Sequence, residues 1–89
     1  MAPELLRQES VNTAATDVFS FGIILFEVYS RRDPYEDENP VEVLKLVADK
    51  SVCKRPPAPR LMPDNIKSLM TDCLEDDAEK RYVRIAFLL

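Results

Sequence analysis

The 89-residue chain has no histidine and a single glycine, Gly22, and each shortage removes a class of function. Without histidine there is no Ser-His or Cys-His pair to activate a nucleophile. One glycine cannot build a glycine-rich phosphate loop, and it argues against an all-β chain assembled from tight hairpins. Cysteine is scarce too: Cys53 and Cys73 form no C-x-x-C pair, so a zinc site is not indicated. A disulfide between them has no support in the sequence, and a reducing compartment suits this usage better. Basic residues are in the minority, 12 Lys and Arg against 16 Asp and Glu, which disfavours nucleic acid as a partner. The longest apolar-rich stretch, 18–29, contains Glu27 and falls short of the ~20 residues a membrane-spanning helix needs. Glu4 and Arg7 interrupt the N-terminal apolar residues, so that end does not read as a signal peptide. The expectation is a segment without membrane contact.

What is present describes a small helical domain. Hydrophobic residues make up 46% of the chain, which is ordinary for a folded protein, but 89 residues can enclose only a modest core. Pro3 suits a first helical position and Glu4 follows it, so 3–7 reads as a short helix. Residues 8–15 read as a connection. Thr16 or Thr13 is the candidate cap of the next helix, with Asp17 in its first turn. That helix, 18–29, is apolar on every side, which calls for burial all round. Residues 33–40 form an acidic loop. Asn39, Pro40 and Glu42 then spell a cap, a first position and a capping-box acid for a helix over 40–50.

The proline-rich stretch 54–63 is expected to be extended, lying over the helices. Its rival reading is a ligand for a proline-binding domain. From Asp64 onward, Ile66, Leu69, Met70, Cys73 and Leu74 keep helical spacing, which makes Cys73 a core residue and not a nucleophile. A charged turn at 75–81 leads to a last helix, roughly 78–88. The fold class is all-α, with about five helices in one unit spanning 1–89. No catalytic constellation is visible. The acids Glu36, Asp37 and Glu38 read as solvated, since their loop lacks the spacing and glycine of a calcium loop.

Three stretches carry a more specific signal: Ala2-Pro3-Glu4, the run DVFSFG at 17–22, and CLEDDAEKR at 73–81. Their order and spacing resemble the C-terminal lobe of a eukaryotic protein kinase. The first is similar to the APE motif that closes the activation segment, the second to the D-x-W-S-x-G signature of the central helix, the third to C-W-x-x-D-P-x-x-R-P. The run SFGIILFEVYSRRDPY is closest to the tyrosine-kinase and tyrosine-kinase-like groups, and is also similar to the kinase-homology domain of receptor guanylate cyclases. The resemblance covers 1–82 and fades after Tyr82.

It implies that Glu4 pairs with Arg81, and that Asp17 accepts hydrogen bonds from the backbone of the catalytic loop. Read without it, Glu4 and Asp17 are helix-start acids and Arg81 is a surface cation. Departures are Phe19 and Leu74 for tryptophan, Ala78 and Tyr82 for proline. The glycine-rich loop, β3 lysine, H-R-D loop and D-F-G aspartate that such kinases need would precede Ala2, and none is in this chain. The expectation is therefore a piece of a longer kinase-like protein, read from an internal Met1, inactive alone and holding no catalytic, cofactor or metal residue. ATP and magnesium are implied for the complete parent only. Implied partners are the remainder of the kinase domain, and protein substrates or regulators near helix 40–50. The implied location is cytoplasmic, including the cytoplasmic part of a membrane receptor. Two other readings stay open: a regulatory pseudokinase or cyclase kinase-homology domain, and a stand-alone helical interaction module.

Overall fold

The computed structural model describes residues 2–9 and 13–81. Among them are α1 (Pro3–Leu6), α2 (Thr13–Ser30), α3 (Pro40–Ala48) and α4 (Asp64–Cys73). A helical turn at 78–81 begins a fifth helix, and no strand occurs among the described residues. The rest of the expected last helix, 82–88, lies outside them. The architecture is all-α.

The starts follow local chemistry. Pro3 opens α1 and Asn39 caps α3, its side-chain oxygen accepting from the amides of Val41 (2.9 Å) and Glu42 (3.2 Å). Glu42 Oε1 lies 3.9 Å from Lys45 Nζ, on the helix surface. Asp64 takes the first turn of α4, where its charge meets the positive end of the helix dipole. The ends of α1, α2 and α3 fall within two residues of the expectation, α3 closing at Ala48 and not 50, but the start of α2 does not. α2 begins at Thr13, so the connection is shorter than 8–15 and Asp17 sits in the second turn of the helix. Ala14 and Ala15 are strong helix formers and carry the helix back past Thr16.

With one glycine available, left-handed backbone positions fall to other residues. Gln8 follows α1 at φ 58° and Arg31 follows α2 at φ 58°, each ending its helix. Without glycine each such residue costs roughly 1 kcal/mol or more.

α2 packs against α4, and α1 packs against α3. The main apolar cluster gathers Ala2, Phe19, Met62, Met70 and Leu74, with Ile23, Leu25, Phe26 and Ile66 around it. Burying a side chain the size of Phe19 contributes about 1.5–3 kcal/mol. Cys73 is fully buried, as its spacing implied, and burial together with the Asp72 charge pushes its thiol up to about 11. Both cysteines are free. Residues 54–59 form neither helix nor strand, following Cys53 at φ 51°; Pro56 is buried while Pro57 and Ala58 are exposed. This strap is held against the helices at Pro56 and by Arg55, whose Nε donates to the Leu74 carbonyl. No helix among the described residues is long and apolar enough to cross a membrane.

α2 is not enclosed on every side by the described residues. Phe19 and Gly22 face α4 and its surroundings, while Phe21, Ile24 and Val28 remain exposed. Three helices and a strap are too few to surround eighteen residues of helix.

At Gly22, α2 lies tightly against the end of α4. A Cβ added there would lie 2.8 Å from Cys73 Cβ and 2.8 Å from Leu74 Cδ2. Alanine at this position gains about 1 kcal/mol in helix propensity. The Cys73 Cβ is fixed to the α4 backbone and cannot swing away, so overpacking, typically 1–3 kcal/mol, outweighs that gain. Gly22→Ala in the full-length protein should lower the melting temperature; a higher one would contradict this packing.

Candidate functional site

The polar centre of the structure is a buried carboxylate and a buried guanidinium. Glu4 is 3% exposed and Arg81 is 0% exposed. Local chemistry positions both. Pro3 and the extended Ala2 set the first turn of α1, which turns Glu4 inward. Asp77 caps the helical turn at 78–81, its Oδ1 accepting from the amides of Glu79 (2.9 Å) and Lys80 (3.3 Å). Ala78 holds the first helical position that the kinase signature gives to proline.

Arg81 uses all of its five N–H donors. Nη1 donates to Glu4 Oε2 at 3.0 Å and to the Ala15 carbonyl at 2.7 Å. Nη2 donates to Glu4 Oε1 at 3.2 Å and to the Asp76 carbonyl at 3.3 Å. Nε donates to the Glu75 carbonyl at 2.9 Å. A guanidinium can be buried without a large penalty only under such conditions, because each unpaired donor would cost its lost hydration. Glu4 is satisfied in turn: it accepts both prongs of Arg81 and the Thr16 hydroxyl at 3.2 Å. The Arg81 guanidinium also stands 5.1 Å from the centre of the Phe19 ring, and the Arg55 guanidinium stands 5.1 Å from the same ring. No buried side-chain nitrogen or oxygen among the described residues lacks a partner.

Burial alone would push the Glu4 carboxyl up. The hydrogen bonds from Arg81, its own backbone amide and Thr16, with the Arg81 charge, outweigh that and hold it below its ordinary value of 4.5. Glu4 is therefore ionised at neutral pH.

The structure thus brings Glu4 and Arg81 together across 77 residues of sequence. It does not bring Asp17 to them. Asp17 is exposed on the second turn of α2. Thr16, Phe19 and Arg55 belong to the same constellation; Thr16 was visible in the sequence as a candidate cap and Phe19 as the aromatic in the DVFSFG run, while Arg55 carried no signal.

No group of three His, Cys, Asp or Glu side chains among the described residues could hold a metal ion. The one glycine is packed inside the helical pair α2–α4, so no glycine-rich loop is present to receive phosphates. These residues do not fit a nucleotide or magnesium site, and no chemical step runs through one here.

The family model described as protein tyrosine and serine/threonine kinase matches residues 1–85. The chain belongs to the protein tyrosine and serine/threonine kinase family. Among curated proteins it is 39% identical over 80 residues to the probable serine/threonine-protein kinase drkB of Dictyostelium discoideum, covering 90% of this chain and 11% of that protein. It is 37% identical over 81 residues to the serine/threonine-protein kinase CTR1 of Arabidopsis thaliana, covering 91% of this chain and 10% of that protein. The dual specificity protein kinase splA of Dictyostelium discoideum is 33% identical over 81 residues, which is 91% of this chain and 3% of that protein. The chain therefore spans about a tenth or less of the length of these relatives.

Replacing Arg81 by alanine leaves a buried carboxylate without its partner and should cost roughly 3–5 kcal/mol in the full-length protein. Arg81→Lys, which keeps the charge but loses the fork, should fall between; a melting temperature unchanged by Arg81→Ala would overturn the assignment. The acid dependence follows from the lowered Glu4 value. A carboxylate held below 4.5 stabilises the fold fully above that pH, and the contribution is lost as pH falls through the lowered value. The melting-temperature gap between wild type and Glu4→Gln should be full at about pH 7 and shrink towards about pH 3. A gap independent of pH would contradict an ionised Glu4.

Proposed function

We propose that this chain is the lower helical part of a kinase C-terminal lobe, and that the complete domain transfers the γ-phosphate of ATP to Ser, Thr or Tyr side chains of proteins. In this reading Glu4, with Ala2 and Pro3, closes the activation segment, and Arg81 anchors it to the lower helices. Asp17 supports the backbone of the catalytic loop from the exposed side of α2. The preceding part of the domain covers Phe21, Ile24 and Val28, and brings the nucleotide and magnesium sites. Protein substrates or regulators approach near α3, and the domain works in the cytoplasm, in keeping with two free thiols.

One observation carries the reading above the others: the bidentate, buried Glu4–Arg81 pair joins the two ends of the kinase-like signature set. Phosphoryl transfer depends on positioning more than on covalent chemistry, so the anchor of the activation segment matters for rate.

The test is transfer of labelled γ-phosphate from ATP to a mixed protein substrate by the full-length protein. Wild type should transfer, and Glu4→Gln should lower kcat/KM by about tenfold or more, a loss of about 1.4 kcal/mol or more in transition-state stabilisation. Wild-type protein that folds, yet neither binds ATP nor transfers phosphate, would overturn the proposal in favour of a regulatory domain.

A further inference from the structure

The helices form two pairs, α1 with α3 and α2 with α4. The main apolar cluster draws on Ala2 at the start of α1, on α2, on Met62 and on α4 with Leu74, but on no residue of α3, whose Val43 and Val47 are buried outside it. Apolar packing thus ties the start of α1 to the α2–α4 pair, while the end of α1 and the end of α3 meet the turn after α4 through polar contacts.

Asp76 stands at that junction. Arg7, the residue that ends α1, donates from Nη1 to Asp76 Oδ1 at 3.0 Å and from Nη2 to Asp76 Oδ2 at 3.3 Å. The same Nη1 donates to the carbonyl of Ala48, the last residue of α3, at 2.9 Å. From the other side, Arg55 Nη2 lies 3.5 Å from Asp76 Oδ1. Arg55 Nε donates to the carbonyl of Leu74, the residue that ends α4, at 2.8 Å. Each arginine thus satisfies a carbonyl at the C-terminal end of a helix, where a cation is favoured. Both meet on one carboxylate. A forked arginine–carboxylate contact fixes orientation as well as distance, so the angle of α1 is set and not merely its proximity.

We propose that Asp76 is a positioning residue that seats the α1–α3 pair on the α2–α4 pair. Glu4 holds the first turn of α1 through Arg81; Asp76 holds the end of α1, and with it α3, through Arg7. The two contacts differ in kind. Glu4–Arg81 is buried, whereas the side chains of Arg7, Arg55 and Asp76 are each about one-fifth exposed or less but reach solvent, at 17%, 16% and 20%. Salt reaches the second contact before the first. Releasing Asp76 leaves α1 tethered at one end and frees α3 to shift, while the α2–α4 core keeps its packing.

Hydrogen exchange on the full-length protein, wild type against Asp76→Asn, reads this directly. Exchange over 3–9 and 40–48 should rise by about fivefold or more, while that over 64–73 stays within about twofold. Asp76→Glu should restore most of the protection. Adding Asp76→Asn to Arg7→Gln should add little, because the two variants break the same contact. Unchanged exchange over 3–9 and 40–48 would overturn the proposal, and so would equal acceleration of all three segments. Should Asp76→Asn not fold, wild type taken from about 0.05 to about 1 M NaCl must show the same selective rise, and its absence overturns the proposal as well. The outcome is independent of whether the full-length protein transfers phosphate.

Discussion

A buried guanidinium that keeps all five of its donors occupied is the constraint on which the rest of this structure depends. Arg81 binds Glu4, Ala15, Glu75 and Asp76, so one side chain collects α1, α2 and the turn after α4. Burying that charge is tolerable only while every partner stays in place. The partners come from three separate segments, so the condition can be met in few arrangements of the chain. Replacing a buried ion pair by an apolar core of matched shape is often neutral or stabilising, whereas removing one partner alone is costly.

Apolar packing supplies the complementary half. Phe19 lies under two guanidiniums and inside the cluster of Met62, Met70 and Leu74, so the ionic centre and the core share one ring. Gly22, one turn further along α2, admits the Cβ of Cys73 at a distance that no other residue allows. The α2–α4 contact thus combines an aromatic plate with a groove, and the strap from Cys53 to Pro59 closes over it with Pro56 inward.

Local chemistry was the legible part. The Asn39-Pro40 start of α3, the spacing of Ile66, Met70 and Cys73, and the absence of helix from the proline stretch all follow from rules that act within one or two turns. Of the two candidate caps of α2, Thr13 and Thr16, the helix begins at Thr13 and takes Thr16 inside it, so the connection expected over 8–15 is shorter. The Thr16 hydroxyl serves Glu4 instead, a partner twelve residues away. Contacts between distant segments, such as Arg7 with Asp76 and Arg55 with Leu74, left no mark in periodicity or spacing. The Glu4–Arg81 contact came into view only through the resemblance of three short motifs to the kinase family, and the family match over residues 1–85 rests on much the same stretch.

The central claim is that Glu4 and Arg81 act as one unit. A double-mutant cycle on the full-length protein, with Glu4→Gln, Arg81→Lys and the two combined, measures it by denaturant unfolding. The account predicts a coupling of about 2 kcal/mol or more between the two positions. Effects that add to within about 0.5 kcal/mol would mean that the two charges are buried side by side without depending on each other, and would contradict it.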